Sequence, residues 1–158
     1  MTERRKAPPP YHAYVTITGV FVAGLALAGG LARLTGRDPR KQSWLDLTTL
    51  SMATFKAART IARDDVTSFL REPFVEGNPR HPEEEHPVQT GGMEQAIGEL
   101  VTCSRCVGTW AAAGLATTQV LTPRLGRLLT WTLAAAGIND FLQAGFAAVT
   151  QKANELER

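Results

Sequence analysis

Two cysteines two residues apart, Cys103 and Cys106 in the stretch VTCSRCVGTW, are the residues of this chain best suited to chemistry. They stand directly before an apolar run, and three uses are open to them: a thiol–disulfide redox pair, half of a metal site, or a structural device at a helix end. At positions i and i+3 of a helix both sulfurs point to one side, close enough for a bridge with adjustment. A helix N-terminus and the neighbouring Arg105 both favour a thiolate, the form that redox chemistry requires. The cysteine count weighs against the first two uses. The chain has only this pair, so no second pair is present to pass electrons onward, and a four-ligand zinc site could close only across two copies. No metal and no cofactor is expected.

Asp140 is the second outlier. It lies in AAAGINDFLQAGFAA, where an ionised group in hydrocarbon costs about 2.5 to 3.5 kcal/mol on insertion scales and normally faces a bundle interior or a polar path. Asn139 and Gln143 are near it in sequence, and Lys56 and Arg59 are the best counter-charges elsewhere. An interhelical ion pair that fixes packing is the plain expectation, and proton or ion movement is the sharper one. The stretch HPEEEHP, with His81 and His86 around three glutamates, matches no closed metal geometry. It reads as a mobile, acidic, solvent-exposed loop.

The elements that must position these residues follow from the hydropathy blocks. From Ala13 to Ala32 the chain carries no charge, and at about 1.5 Å per residue this run can cross a hydrocarbon core of roughly 30 Å. A transmembrane helix is preferred over a secretory signal, whose apolar region is shorter. The blocks Val107 to Thr122 and Leu128 to Thr150 are also apolar. PRLGR, Pro123 to Arg127, lies between them and reads as a turn at the lipid headgroups, which makes the blocks a transmembrane helical hairpin; the soluble alternative is a buried hairpin.

Between these blocks runs a different helix, Ser43 to Asp65, with Ser43 as its N-cap and Asp46 three residues on. At 100° per residue Lys56, Arg59 and Arg63 share a stripe with Thr49 and Met52, while Leu47, Leu50, Ala58 and Ile61 fall on the other side. The helix either lies in the membrane surface or forms a fourth span. Residues 66–95, broken by prolines and glycines, read as a loop, and GGMEQAIGEL resumes as a short helix before the cysteines. The spacings Gly19-x-x-x-Ala23, Gly24-x-x-x-Ala28 and Gly108-x-x-x-Ala112 suit close helix packing.

With 158 residues and a net charge of +2, the chain has room for one domain and no basic run of the kind that tracks nucleic acid. Three segments divide it: 1–42 with the first apolar helix, 43–150 with the amphipathic helix 43–65, the loop 66–95 and the hairpin 103–150, and a polar tail 151–158. Arg4, Arg5 and Lys6 precede the first apolar helix while Arg33, Arg37, Arg40 and Lys41 follow it, so basic residues mark both of its ends.

ATFKAARTIARDDVTSFLREPF, followed by GELVTCSRCVGTW and a final apolar block, resembles the bacterial membrane family catalogued as domain of unknown function 1360, some of whose members carry a sporulation label. The positions that carry the resemblance are Ala53, Phe55, Arg59, Asp64, Leu70, Arg71, Pro73, Phe74, Cys103, Cys106, Gly108, Trp110 and Asp140. It spans about Trp44 to Val149 and leaves the first apolar helix outside. Lys56 replaces an arginine frequent in the family, Phe69 a proline, and Ser104-Arg105 the proline and aromatic expected between the cysteines. The resemblance implies a small integral membrane protein and supplies no activity.

The expectation is therefore an all-α integral membrane bundle of three to four transmembrane helices, multi-pass in the bacterial inner membrane. Its partners are the lipid bilayer and other membrane subunits or further copies of itself, with no nucleic acid. A non-catalytic accessory subunit or assembly factor, held together by Arg59, Arg71 and Asp140, is the preferred function. A thiol–disulfide oxidoreductase using Cys103 and Cys106 and a small transporter or proton conductor using Asp140 are the alternatives.

Overall fold

The computed structural model describes residues 8–37, 42–78, 81 and 83–156. Arg4, Arg5, Lys6, Arg40, Lys41, Pro79 and Pro82 thus lie outside the described residues. Helix α1, Tyr11–Leu34, begins behind a run of prolines, with Pro10 at its N-cap, and ends before Gly36, whose φ of 65° only glycine adopts readily. Its buried residues are Ala13 and Ala32, whereas Val15, Leu27 and Leu34 are mostly exposed.

Helix α2, Trp44–Arg63, opens with a capping box: Ser43 Oγ accepts the Asp46 N–H, and the Asp46 carboxylate accepts the Ser43 N–H at 2.8 Å. Its buried seam is built of small residues, Ala53, Ala58 and Ala62, and Leu47 stays half exposed. Large apolar residues were expected on that side. Alanines allow the neighbouring helices to come closer than leucines permit.

Two helices close on that seam. α5, Ser104–Leu121, and α6, Pro123–Leu156, form an antiparallel hairpin with only Thr122 between them. The expected turn PRLGR is instead the first turn of α6, with Pro123 at a position where its missing N–H costs nothing. Gly126 makes so tight a connection possible, since a Cβ there would lie 2.4 Å from the Gln119 Cα. Fully buried Thr130 completes the joint, accepting from Gln119 Nε2 at 2.8 Å and donating to the Gly126 carbonyl at 2.7 Å. Because Gly137 of α6 faces Met52 and Asp140 faces Lys56, α6 runs parallel to α2. α5 therefore runs opposite to both, and the core cluster Ala53, Leu115 and Ala134 takes one residue from each of the three helices.

The segment 66–95 is more ordered than a loop. A 3-10 turn Asp65–Thr67, the one-turn helix α3 Ser68–Arg71 and a second 3-10 turn Glu72–Phe74 lead into β1, Val75–Glu76, which pairs antiparallel with β2, His86–Pro87. Helix α4, Met93–Thr102, follows, and Cys103 alone separates it from α5. α6 continues to Leu156, through the described part of the polar segment 151–158. Among the described residues one helix, α1, is long and apolar enough to cross a membrane by length and composition; three such helices were expected. Arg105 and several hydroxyls dilute α5, and Asn139, Asp140 and Gln143 dilute α6.

Candidate functional site

The chain concentrates its charge chemistry around the C-terminal end of α2. Helix ends leave carbonyls without intrahelical partners, and here a single arginine takes two of them. Arg71, fully buried on α3, donates from Nη1 to the Ile61 carbonyl at 2.8 Å, to the Asp64 carbonyl at 3.1 Å and to Thr67 Oγ1 at 3.2 Å. Its other edge meets Glu85 in a two-point pair, Nε to Oε2 at 2.7 Å and Nη2 to Oε1 at 3.2 Å, with both side chains almost wholly buried. The fork geometry of arginine makes this double contact possible, and lysine has no equivalent. Glu85 belongs to HPEEEHP, so that stretch is not simply a solvated acidic loop: its third glutamate is a core residue. Glu83 remains exposed beside His81, 3.2 Å away, where its own backbone N–H and the imidazole hold its carboxyl below the ordinary range.

One turn and more back along α2, Lys56 Nζ pairs with Asp140 Oδ2 at 2.8 Å, so the aspartate that stood out in an apolar run meets its cation across the α2–α6 interface. The pair borders a cavity of about 380 Å³ that is also lined by Phe55, Arg59, Asp64, Phe141, Gln143 and Ala144. Phe55 and Phe141 stack with ring centroids 5.2 Å apart. Asp64 accepts the Thr60 hydroxyl at 2.8 Å. Arg59 is exposed and makes no ion pair or hydrogen bond among the described residues.

Cys103 and Cys106 are joined as a disulfide, with Cα atoms 5.3 Å apart. Cys103 is also the N-cap of α5, its Sγ accepting the Cys106 N–H at 3.3 Å. Of the two, Cys106 is the exposed one. A Cβ at Gly108 would lie 3.7 Å from the Ala58 Cβ, and Trp110 meets Phe21 of α1 edge-on at 5.0 Å between centroids. Among the described residues no group of three metal-ligating side chains converges.

A second attachment of α1 had no sequence signal at all. The Tyr14 hydroxyl donates to Glu99 of α4, whose other oxygen accepts from Gln95 Nε2 at 3.0 Å, and Gln95 Oε1 in turn accepts the Gly91 N–H at 2.9 Å. Gln95 is buried while Tyr14 and Glu99 are partly exposed, so this relay fixes α1 to the turn before α4 through half-buried polar contacts.

A family model for proteins of unknown function, DUF1360, matches residues 49–146. The chain belongs to that family. Within the matched stretch lie Lys56, Arg59, Asp64, Arg71, Cys103, Cys106, Gly108, Trp110 and Asp140, so both charge clusters and the disulfide belong to the family unit. Tyr14 and the rest of α1 fall outside it. Among curated relatives, the sporulation protein YjcA of Bacillus subtilis (strain 168) is 30% identical over 110 residues, covering 63% of this chain and 88% of the relative. The UPF0713 protein YngL of the same organism is 26% identical over 101 residues, covering 64% of this chain and 78% of the relative. No solved structure matches the chain.

Within the family unit the functional residues invisible to sequence reasoning are acceptors. Glu85 and Glu99 are both carboxylates whose donors, Arg71 and Tyr14, belong to other elements, and no local pattern pairs them.

Proposed function

We propose that this chain is a non-catalytic, multi-pass integral membrane protein of the bacterial inner membrane, acting as an accessory subunit or assembly factor. The observation that carries this reading is the outer surface of the helices. Val15, Val20, Val22, Leu27 and Leu31 on α1 and Leu128, Trp131, Phe141, Leu142, Phe146 and Val149 on α6 are exposed without a polar cover, which a water-soluble bundle of this size does not tolerate. α5 lies between α1 and α2, in contact with both, and at about 1.5 Å per residue α2 is close to the roughly 30 Å of a hydrocarbon core. The helices also satisfy their own hydroxyls: Thr16, Thr48, Thr49, Ser51, Thr118 and Thr150 each donate to the carbonyl four residues back. That economy suits a solvent with no hydrogen bonds to offer.

The absence of a catalytic role rests on how the reactive groups are used. Arg71 and Glu85 seal a helix end, Lys56 and Asp140 neutralise each other, and Cys103 caps α5. Alkaline carbonate extraction of native membranes, followed by mild-detergent purification at native abundance, tests the reading. The chain is expected to stay with the membrane and to bring a defined set of membrane proteins, unchanged by Cys103→Ser with Cys106→Ser. Release into the carbonate supernatant refutes the membrane assignment.

A membrane thiol–disulfide oxidoreductase is the second reading, favoured by one observation, the formed disulfide with Cys106 on the exposed side. Trapping with a membrane-permeant alkylating reagent decides it, and thiols that stay unreactive in reduced and oxidised preparations alike remove it.

A further inference from the structure

The cavity between α2 and α6 has a charge pattern that the fold itself does not use up. Four of its lining residues are ionisable, Lys56, Arg59, Asp64 and Asp140. The Lys56–Asp140 pair is closed on itself at 2.8 Å. What remains is one cation, Arg59, without a partner among the described residues, and one carboxylate, Asp64, held by a single hydroxyl from Thr60. The two are five residues apart at the end of α2, roughly 7 Å along the axis. They do not answer each other's charge.

The wall opposite is apolar. Phe55 and Phe141 stack beside the charged groups, and exposed Ile138 and Trp131 extend an apolar surface along α6 away from the end of α2. Depth matters too: α2 ends at Arg63, so Arg59 lies one turn inside the end of the helix and Asp64 just beyond it. On the membrane reading this is the level of the lipid headgroups, where a long arginine side chain reaches toward polar ground.

We infer that this cavity binds a zwitterionic phosphate–amine group, the headgroup chemistry of phosphoethanolamine, with the phosphate on Arg59 and the ammonium on Asp64. Guanidinium matches phosphate oxygens through two parallel N–H donors, and Gln143 adds an amide at the same wall. A primary ammonium carries three N–H donors that a carboxylate accepts. The lining holds equal numbers of cations and carboxylates, so a net-neutral ligand leaves no charge unmatched, whereas a net anion adds repulsion from Asp64. A lipid source places its acyl chains along Phe141, Ile138 and Trp131, away from the end of α2; a free phosphoethanolamine leaves that surface uncovered.

The inference rests on the membrane reading, and its test separates the two. The full chain, shown by carbonate extraction to be membrane-embedded, is reconstituted in nanodiscs holding equal amounts of phosphatidylethanolamine and phosphatidylglycerol, and retained lipid is read by native mass spectrometry after stepwise delipidation. Retention of phosphatidylethanolamine by about tenfold over phosphatidylglycerol is expected, the scale of one charge-assisted contact. Arg59→Gln and Asp64→Asn each abolish that preference while helicity and thermal midpoint stay unchanged. Preference for phosphatidylglycerol, a preference that survives both substitutions, or equal retention together with no saturable binding of free O-phosphoethanolamine overturns the inference even in a chain that stays in the membrane. Titration of delipidated protein with free O-phosphoethanolamine is the second arm. Saturable binding lost in Arg59→Gln, without lipid retention, keeps the site and assigns it to the soluble source.

Discussion

Arg71→Met is the substitution for which the structure gives the firmest magnitude. It removes a guanidinium with no exposed surface and leaves the Glu85 side chain, 2% exposed, as an unpaired buried carboxylate. Breaking one half of a buried pair in this way costs about 3 to 5 kcal/mol. The Ile61 carbonyl loses its arginine donor at the same time, while the Asp64 carbonyl keeps Thr67, so the end of α2 is expected to loosen as well. Glu85→Gln costs less, because an amide oxygen still accepts from Nε. Combining Arg71→Met with Glu85→Leu removes both charges, and buried pairs replaced whole by apolar groups are often close to neutral; the double variant is therefore expected to recover part of the loss. Denaturant-dependent helicity in a fixed detergent, run as a double-mutant cycle, measures this. A single-variant loss below about 1 kcal/mol, or a double variant as unstable as the sum of the singles, refutes the claim that the pair acts as a unit.

Three further expectations follow from contacts already described. Gly98→Ala places a Cβ 2.3 Å from the Phe74 carbonyl and 3.1 Å from the Pro87 Cβ, so α4 must shift off the β1–β2 pair; a loss of about 1 to 3 kcal/mol and faster proteolysis around residues 75–92 are expected. Tyr14→Phe leaves Glu99 without the phenolic donor, which weakens the hold on α1 and lowers the yield of an engineered α1–α4 crosslink; an unchanged yield contradicts the relay. Lys56→Met and Asp140→Asn are expected to couple by only about 1 kcal/mol in a cycle, because the aspartate side chain is 37% exposed, and a much larger coupling means the pair is dry.

The long elements and the α2–α6 ion pair were legible because they follow from patterns local to one segment. α1 announces itself by a run without charge, α2 by Ser43 and Asp46 in register, and Asp140 by being the only charge in its block, with Lys56 and Arg59 at helical spacing to answer it. The burial of Glu85 was not legible. Three consecutive glutamates between prolines look solvated, and nothing in their own neighbourhood distinguishes the one that Arg71 neutralises from fourteen positions away. PRLGR misled for a related reason: proline and glycine mark turns, but proline is equally at home in a first helical turn and Gly126 serves contact with Gln119, not chain reversal. The Tyr14–Glu99 contact joins residues 85 positions apart, and no periodicity within either helix encodes it.

Cys103 is the single residue between α4 and α5, with φ −97° and ψ 99°, and the disulfide ties it to Cys106 in the first turn of α5. A connection of one braced residue has no slack. α4 carries the carboxylate that holds α1 and the glycine that seats the β1–β2 pair, while α5 carries part of the bundle core, so displacement of the segment around Arg71 and Glu85 is transmitted to the bundle as a rotation of α5 and is not absorbed by a linker. In mechanical terms the cysteine pair is a clamp on one side of the joint, fastening the corner residue to the first turn of α5.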